Sequence, residues 1–94
     1  MDKRENSFRM TKADLYDWVV SQGCETKTLP EYKANVLLFV NPKTGNKGWI
    51  DLPIDDKPLR DYTICKVCCD LQIQLPTSTA YMKPLYDKIK KRIN

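Results

Sequence analysis

The sequence predicts a small α+β domain with the order α-β-β-β-α, in which two helices cover one face of a three-stranded antiparallel sheet. Three observations support this fold: helical spacing of apolar residues in two segments, strand alternation between them, and a turn-rich stretch before the last strand. Ninety-four residues, 41% of them hydrophobic, are enough for one core. We expect an N-terminal arm at residues 1–9, the domain at residues 10–76 and a basic C-terminal helix at residues 77–94.

The first helix is predicted at residues 12–22. Thr11 is a suitable N-cap, Asp14 follows near the positive end of the helix dipole, and Gly23 ends the segment. Apolar side chains follow at helical spacing, namely Leu15, Trp18 and Val19.

Three strands are predicted after Gly23. Glu25–Leu29 alternates threonine with charged residues and suits a short edge strand. Lys33–Val40 is apolar on both faces, as in a central strand. Residues 41–46 are rich in turn formers, and residues 48–52 return as the second arm of a β-hairpin.

A second helix is predicted from about Asp61 or Tyr62 to Leu71, because four apolar residues recur at i, i+3, i+4 and i+7: Ile64, Val67, Cys68 and Leu71. Ser78 or Thr79 suits the cap of a last helical segment, and Pro84 suits its first turn. We expect one core made of Leu15, Trp18, Val19, Val36, Leu38, Ile50, Leu52, Ile64, Val67 and Leu71.

Positive charge is concentrated near the C-terminus. Residues 83–94 contain five basic residues and Asp87, which accounts for the whole net charge of +4. A second set of basic residues surrounds the hairpin and the loop before the second helix. Candidate nucleic-acid or partner contacts are therefore Lys33, Lys43, Lys47, Lys57, Arg60, Lys88, Lys90, Lys91 and Arg92.

The composition disfavours metal, disulfide and histidine chemistry. The chain has no histidine, and three of its four cysteines, Cys65, Cys68 and Cys69, lie within five residues, where they cannot join distant loops. We expect free thiols, with Cys68 in the core and Cys65 and Cys69 half exposed. Asp55 and Asp56 are adjacent in a loop, which is typical of solvated turn residues, so we expect no metal site, no cofactor and no catalytic residue.

No segment approaches the roughly 18 apolar residues of a membrane span, and the charged N-terminus does not resemble a signal peptide. The expected location is the cytoplasm, without a membrane partner.

Residues 12–75 resemble the HicA family of small bacterial toxins. The resemblance rests on the helix that ends at Gly23, the turn at residues 41–45, the strand entering Leu52 and Pro53, and the segment 56–59 before the second helix. It implies the double-stranded-RNA-binding-domain fold and, for the family, ribosome-independent cleavage of mRNA in a toxin–antitoxin pair.

The family's catalytic histidine is absent from this chain, where the matching stretch is residues 34–37. Imidazole exchanges a proton with the 2′-hydroxyl of RNA near neutral pH, and aliphatic side chains cannot. We therefore expect a small non-catalytic binding domain that recognises RNA or a protein partner. The alternatives are a divergent mRNA interferase without histidine, and a protein–protein interaction module that uses an open sheet edge.

Overall fold

The computed structural model describes residues 10–29 and 33–93, and it has the predicted α+β order. Helix α1 is followed by strands β1, β2 and β3, helix α2, a 3₁₀ helix and helix α3. Their bounds are Lys12–Ser21, Glu25–Leu29, Lys33–Val40, Lys47–Asp51, Asp61–Leu71, Thr77–Met82 and Lys83–Ile93. The predicted arm at residues 1–9 lies outside the described residues.

The N-terminal cap of α1 is the one that the sequence predicts. Thr11 Oγ1 accepts a hydrogen bond from the backbone N–H of Asp14, and the Asp14 carboxylate accepts one from the N–H of Thr11, both at 3.1 Å. This reciprocal pair satisfies N–H groups that have no partner inside the helix. After α1, Gly23 turns the chain with a φ of +92°, a conformation that glycine adopts without steric cost.

The three strands form an antiparallel sheet in the order β1-β2-β3, so β2 is central and β1 and β3 are edges. On the β2–β3 hairpin, Leu37 pairs with Ile50 and Leu38 pairs with Trp49. The antiparallel arrangement and the central position of β2 confirm the prediction.

The face of β2 that the helices cover is the opposite of the predicted one. Leu37 and Phe39 belong to the core beneath the helices, whereas Val36 and Leu38 lie on the other face, which we call the open face. Leu38 is itself buried there, but it is not part of the core beneath the helices. Phe39 pairs with Gly48, where a Cβ atom would lie only 3.3 Å from Leu71 Cγ of α2. Because directly paired residues share a face, the predicted combination of Leu38 with Ile50 in one core is wrong.

The rest of the predicted core is confirmed. Six members are buried, and Trp18 and Leu52 are half-buried against them; the six are Leu15, Val19, Ile50, Ile64, Val67 and Leu71. Trp18 also donates from its indole Nε1–H to Gln74 O at 2.9 Å, which ties α1 to the segment after α2.

Helix α3 completes the same core. Tyr86 and Ile89 are buried, as is Met82 at the end of the 3₁₀ helix, and Pro84 occupies the first turn of α3 as predicted. Thr79 is buried inside the 3₁₀ helix, where its hydroxyl donates to Pro76 O at 2.9 Å. The 3₁₀ and α3 helices therefore belong to the packed domain.

Candidate functional site

Eight of the nine basic candidates have exposed side chains. Lys33 belongs to β2, but its side chain is not among those that the structure describes. The exposed eight are Lys43, Lys47, Lys57, Arg60, Lys88, Lys90, Lys91 and Arg92. Their positions in the fold decide which of them can act together.

The hairpin turn is held against the end of α2. Asn41 is buried, and its Nδ2 donates to Leu71 O at 2.7 Å. Its Oδ1 accepts from the backbone N–H of Lys43 at 3.0 Å, and its own N–H donates to Asn46 O at 2.8 Å. Asn41 therefore fixes the turn that carries Lys43 beside the C-terminal end of α2.

Helix α3 runs in the same direction as α2. Near the middle of α2, Cys65 Sγ lies 3.8 Å from Met82 O, and one turn later Cys69 Sγ lies 3.3 Å from Tyr86 O. Tyr86 also donates its hydroxyl to Ile73 O at 2.8 Å, just beyond the end of α2. Residues 88–92 therefore extend past the last turn of α2, at the end of the helix where Asn41 attaches the hairpin turn.

The cations of α3 and of the hairpin together form what we call the basic end, which consists of Lys43, Lys47, Lys88, Lys90, Lys91 and Arg92. Among the described residues the ion pairs are Lys66–Asp70 and Lys83–Asp87, each at 2.8 Å. No cation of the basic end takes part in either pair. Lys90 Nζ lies 5.9 Å from the centre of the Tyr86 ring, a cation–π distance. The basic end thus presents positive charge that the described carboxylates do not neutralise by direct contact.

Lys57 and Arg60 lie at the other end of β3. Lys57 O accepts from the backbone N–H of Lys12 at 3.3 Å, and Arg60 is the N-cap of α2. Since α2 contacts Gly48 near its C-terminus, its N-terminus lies beside the opposite end of the strand. The single basic cluster expected around the hairpin and this loop is therefore divided into two groups.

Residues 35–37, where the expected resemblance would place a histidine, carry no titratable side chain. Asn35 is exposed, Val36 is half-buried on the open face, and Leu37 is buried beneath the helices. The cross-strand partner of Val36 is Asp51. Among the described residues, the Asp51 carboxylate is the titratable group next to Val36. Tyr32 lies outside the described residues. No proton-transferring pair is therefore visible at residues 35–37.

All four cysteines are free and buried, which corrects the expectation that Cys65 and Cys69 are half exposed. Burial, with a smaller effect of neighbouring groups, raises the pKa of the Cys65 thiol to about 11 and that of Cys68 to about 12. Because the thiolate is the nucleophile and the metal ligand, such thiols are unreactive near neutral pH. Across residues 10–29 and 33–93, no three cysteine, aspartate, glutamate or histidine side chains converge on a metal position.

The aspartate loop has a structural role. Asp55 O accepts from the N–H of Ala13 at 3.2 Å, and Asp55 Oδ1 accepts from the N–H of Lys57 at 3.2 Å. The first bond fixes the loop against the start of α1, and the second closes a turn within the loop. Asp56 is exposed.

One exposed feature was not predicted. Trp49 is 64% exposed on the open face of β3. Beside it, a groove of about 390 Å³ separates β3 from α2 and is lined by Trp49, Asp51, Tyr62 and Lys66, among others. The alternation of residues 47–51 gave the signal: Ile50 faces the core, so Trp49 must face away from it.

Comparisons with family models, curated proteins and solved structures give no match to this chain. The described helices include none that is both long and apolar enough to cross a membrane.

Proposed function

We propose that this protein is a non-catalytic RNA-binding domain of the cytoplasm, whose basic end contacts the phosphate backbone. The observation that carries the proposal is the direction of α3, which places its cations at the same end of α2 as the lysines of the hairpin. Several clustered cations are what a polyanion requires, because each neutralised phosphate releases condensed counterions. The HicA-like resemblance of residues 12–75 agrees with an RNA partner.

Charge placement favours RNA over a protein at this end of the molecule. Lys88, Lys91 and Arg92 occupy one side of α3 at i, i+3 and i+4, so they can follow consecutive phosphates. Asp87, the acidic residue of the helix, lies one turn before Lys91 on the same face, and its carboxylate pairs with Lys83 at 2.8 Å. A protein partner remains the second candidate, and the free edge of β3 is the observation that favours it.

The test is RNA binding measured by fluorescence anisotropy across a salt series, with a single-stranded and a hairpin RNA. We expect the affinity of the wild-type protein to fall steeply as salt rises. Reversing Lys88, Lys91 and Arg92 to glutamate should reduce the slope of log K against log salt by about 2 and the affinity by at least about tenfold, because about three phosphate contacts are lost.

The matched control reverses Lys27, Lys57 and Arg60 to glutamate. This variant has the same net charge and changes exposed residues outside the basic end. It should keep most of the salt slope. Equal losses in both variants would mean that net charge alone causes the binding, and absence of salt-dependent binding by the wild-type protein would refute the proposal.

The alternative of a divergent mRNA interferase requires a proton-transferring group other than histidine. Among the described residues next to the family's histidine segment, that group is Asp51. Its carboxylate is exposed beside Val36, and the cleavage experiment below tests it.

A further inference from the structure

Among the described strands, none pairs with the outer edge of β3, and the backbone groups along this edge follow a regular pattern. Asn41 N–H donates to Asn46 O, and Leu52 N–H donates to Asn35 O, both at 2.8 Å. Hydrogen-bonded pairs alternate along an antiparallel ladder, so Gly48 and Ile50 bond to β2. Lys47, Trp49 and Asp51 direct their N–H and C=O groups away from β2, where no described strand pairs with them.

The side chains of these same three residues lie together on the open face, and all three are exposed. Their order along the strand is a cation, a large aromatic ring and an anion, at intervals of two residues. Reversing the strand direction exchanges the cation and the anion about the tryptophan. The edge is therefore complementary in charge to an antiparallel copy of itself.

We propose that a second copy of this chain pairs antiparallel with β3, with the two-fold axis at Trp49, to form a continuous six-stranded sheet. Lys47 then lies opposite Asp51 of the second copy, and Asp51 lies opposite Lys47 of the second copy. The two Trp49 side chains are direct cross-strand neighbours. Such pairing brings Cα atoms to about 5.5 Å and opposite charges into favourable contact. It requires no nucleic acid.

The geometry of both strand edges favours β3 for this contact. The groove beside β3 leaves space between the edge and the α2 residues Tyr62 and Lys66. On the other edge, the register of β1 shifts between Thr28 and Leu29, which interrupts a regular ladder. Exposed edges are usually protected by charge. Here the self-complementary register pairs opposite charges twice, whereas registers that place Lys47 opposite Lys47 or Asp51 opposite Asp51 bring like charges together.

The test is the association state in the absence of RNA, measured by sedimentation up to about 1 mM protein, near the weak limit of measurable association. The wild-type chain should form a concentration-dependent dimer. Lys47→Asp places two aspartates opposite each other in the pair, and Asp51→Lys places two lysines opposite each other. Each variant alone should be monomeric and folded by circular dichroism.

Mixing the two variants restores both opposite-charge pairs, so the mixture should form a one-to-one heterodimer. Lys27→Asp, the same change on the open face of β1, is the matched control and should dimerise like the wild type. A wild-type monomer at every concentration would overturn the proposal. So would a mixture that stays monomeric, or a control that loses as much association as Lys47→Asp.

Discussion

Single residues with buried polar groups hold the domain together at its least regular points. Asn41 joins the hairpin turn to the end of α2, and Tyr86 joins α3 to the segment after α2. Within the described chain, no buried side-chain nitrogen or oxygen lacks a hydrogen-bond partner. The buried cysteines extend this pattern, because their raised pKa values keep them neutral in the core.

The folded protein should lose stability above about pH 9 through these thiols. Burial raises the pKa of Cys68 from its ordinary value of 9.0 to about 12, so the unfolded chain loses this proton first. Stability is fully present below pH 9 and falls as the pH rises toward the folded-state pKa. Each thiol that ionises only when unfolded lowers the free energy of unfolding by about 1.4 kcal/mol per pH unit.

Urea denaturation at about pH 7.5, 9 and 10 checks this expectation. Cys68→Ala removes one of the titrating groups, so its free energy of unfolding should decline less steeply above pH 9 than that of the wild type. Equal slopes in the two proteins would show that Cys68 does not contribute.

At the scale of elements, α3 is as much a part of the core as α2. Its buried face contains Tyr86 and Ile89, and its outer side presents the cations of the basic end. Deleting the chain from about residue 84 would therefore remove core packing together with charge. Substitutions separate the two contributions.

Ile89→Ala should lower the free energy of unfolding by about 2–4 kcal/mol, because Ile89 is buried and its truncation leaves a cavity. Lys88→Ala, one residue earlier on the exposed side, should change it by less than about 0.5 kcal/mol. Chemical denaturation of both variants measures the difference. If Ile89→Ala were as stable as Lys88→Ala, α3 would not pack on the core in solution.

The secondary structure could be predicted from the sequence because the apolar periods of the helices and strands are distinct. Which face of β2 the helices cover could not be predicted in this way. Val36 and Leu38 are as apolar as Leu37 and Phe39, and only the close approach of α2 at Gly48 decides which pair faces the helices. The candidate basic residues could also be identified from the sequence. Their division into two groups could not, because it depends on the path of residues 72–82, which sets the direction of α3.

At the scale of the whole molecule, one face of the sheet carries the helices and the other is open. The resemblance implies a histidine within residues 34–37, and of these Val36 lies on the open face with Asp51 opposite it. Positioned acid–base groups typically contribute about 10²- to 10⁴-fold to a rate, and Val36 supplies none of this.

We therefore expect the purified protein to leave unstructured RNA intact, with or without divalent metal, as measured on a denaturing gel. Asp51→Asn, prepared in parallel, is the control for contaminating nucleases. Cleavage by the wild-type protein that disappears in Asp51→Asn would reveal an active site on the open face, and so would cleavage abolished by substituting Tyr32 or Lys33.

Because the two tryptophans are buried to different extents, their fluorescence should report on two different events. Trp18 is half-buried with its indole N–H bonded to Gln74 O, whereas most of Trp49 faces solvent. Emission from Trp18 should therefore shift to longer wavelength when the core opens. Emission from Trp49 should shift to shorter wavelength when anything covers the edge of β3. In a Trp49→Phe variant, only the emission of Trp18 remains. Comparing this variant with the wild type separates unfolding from occupancy of the β3 edge without an added label.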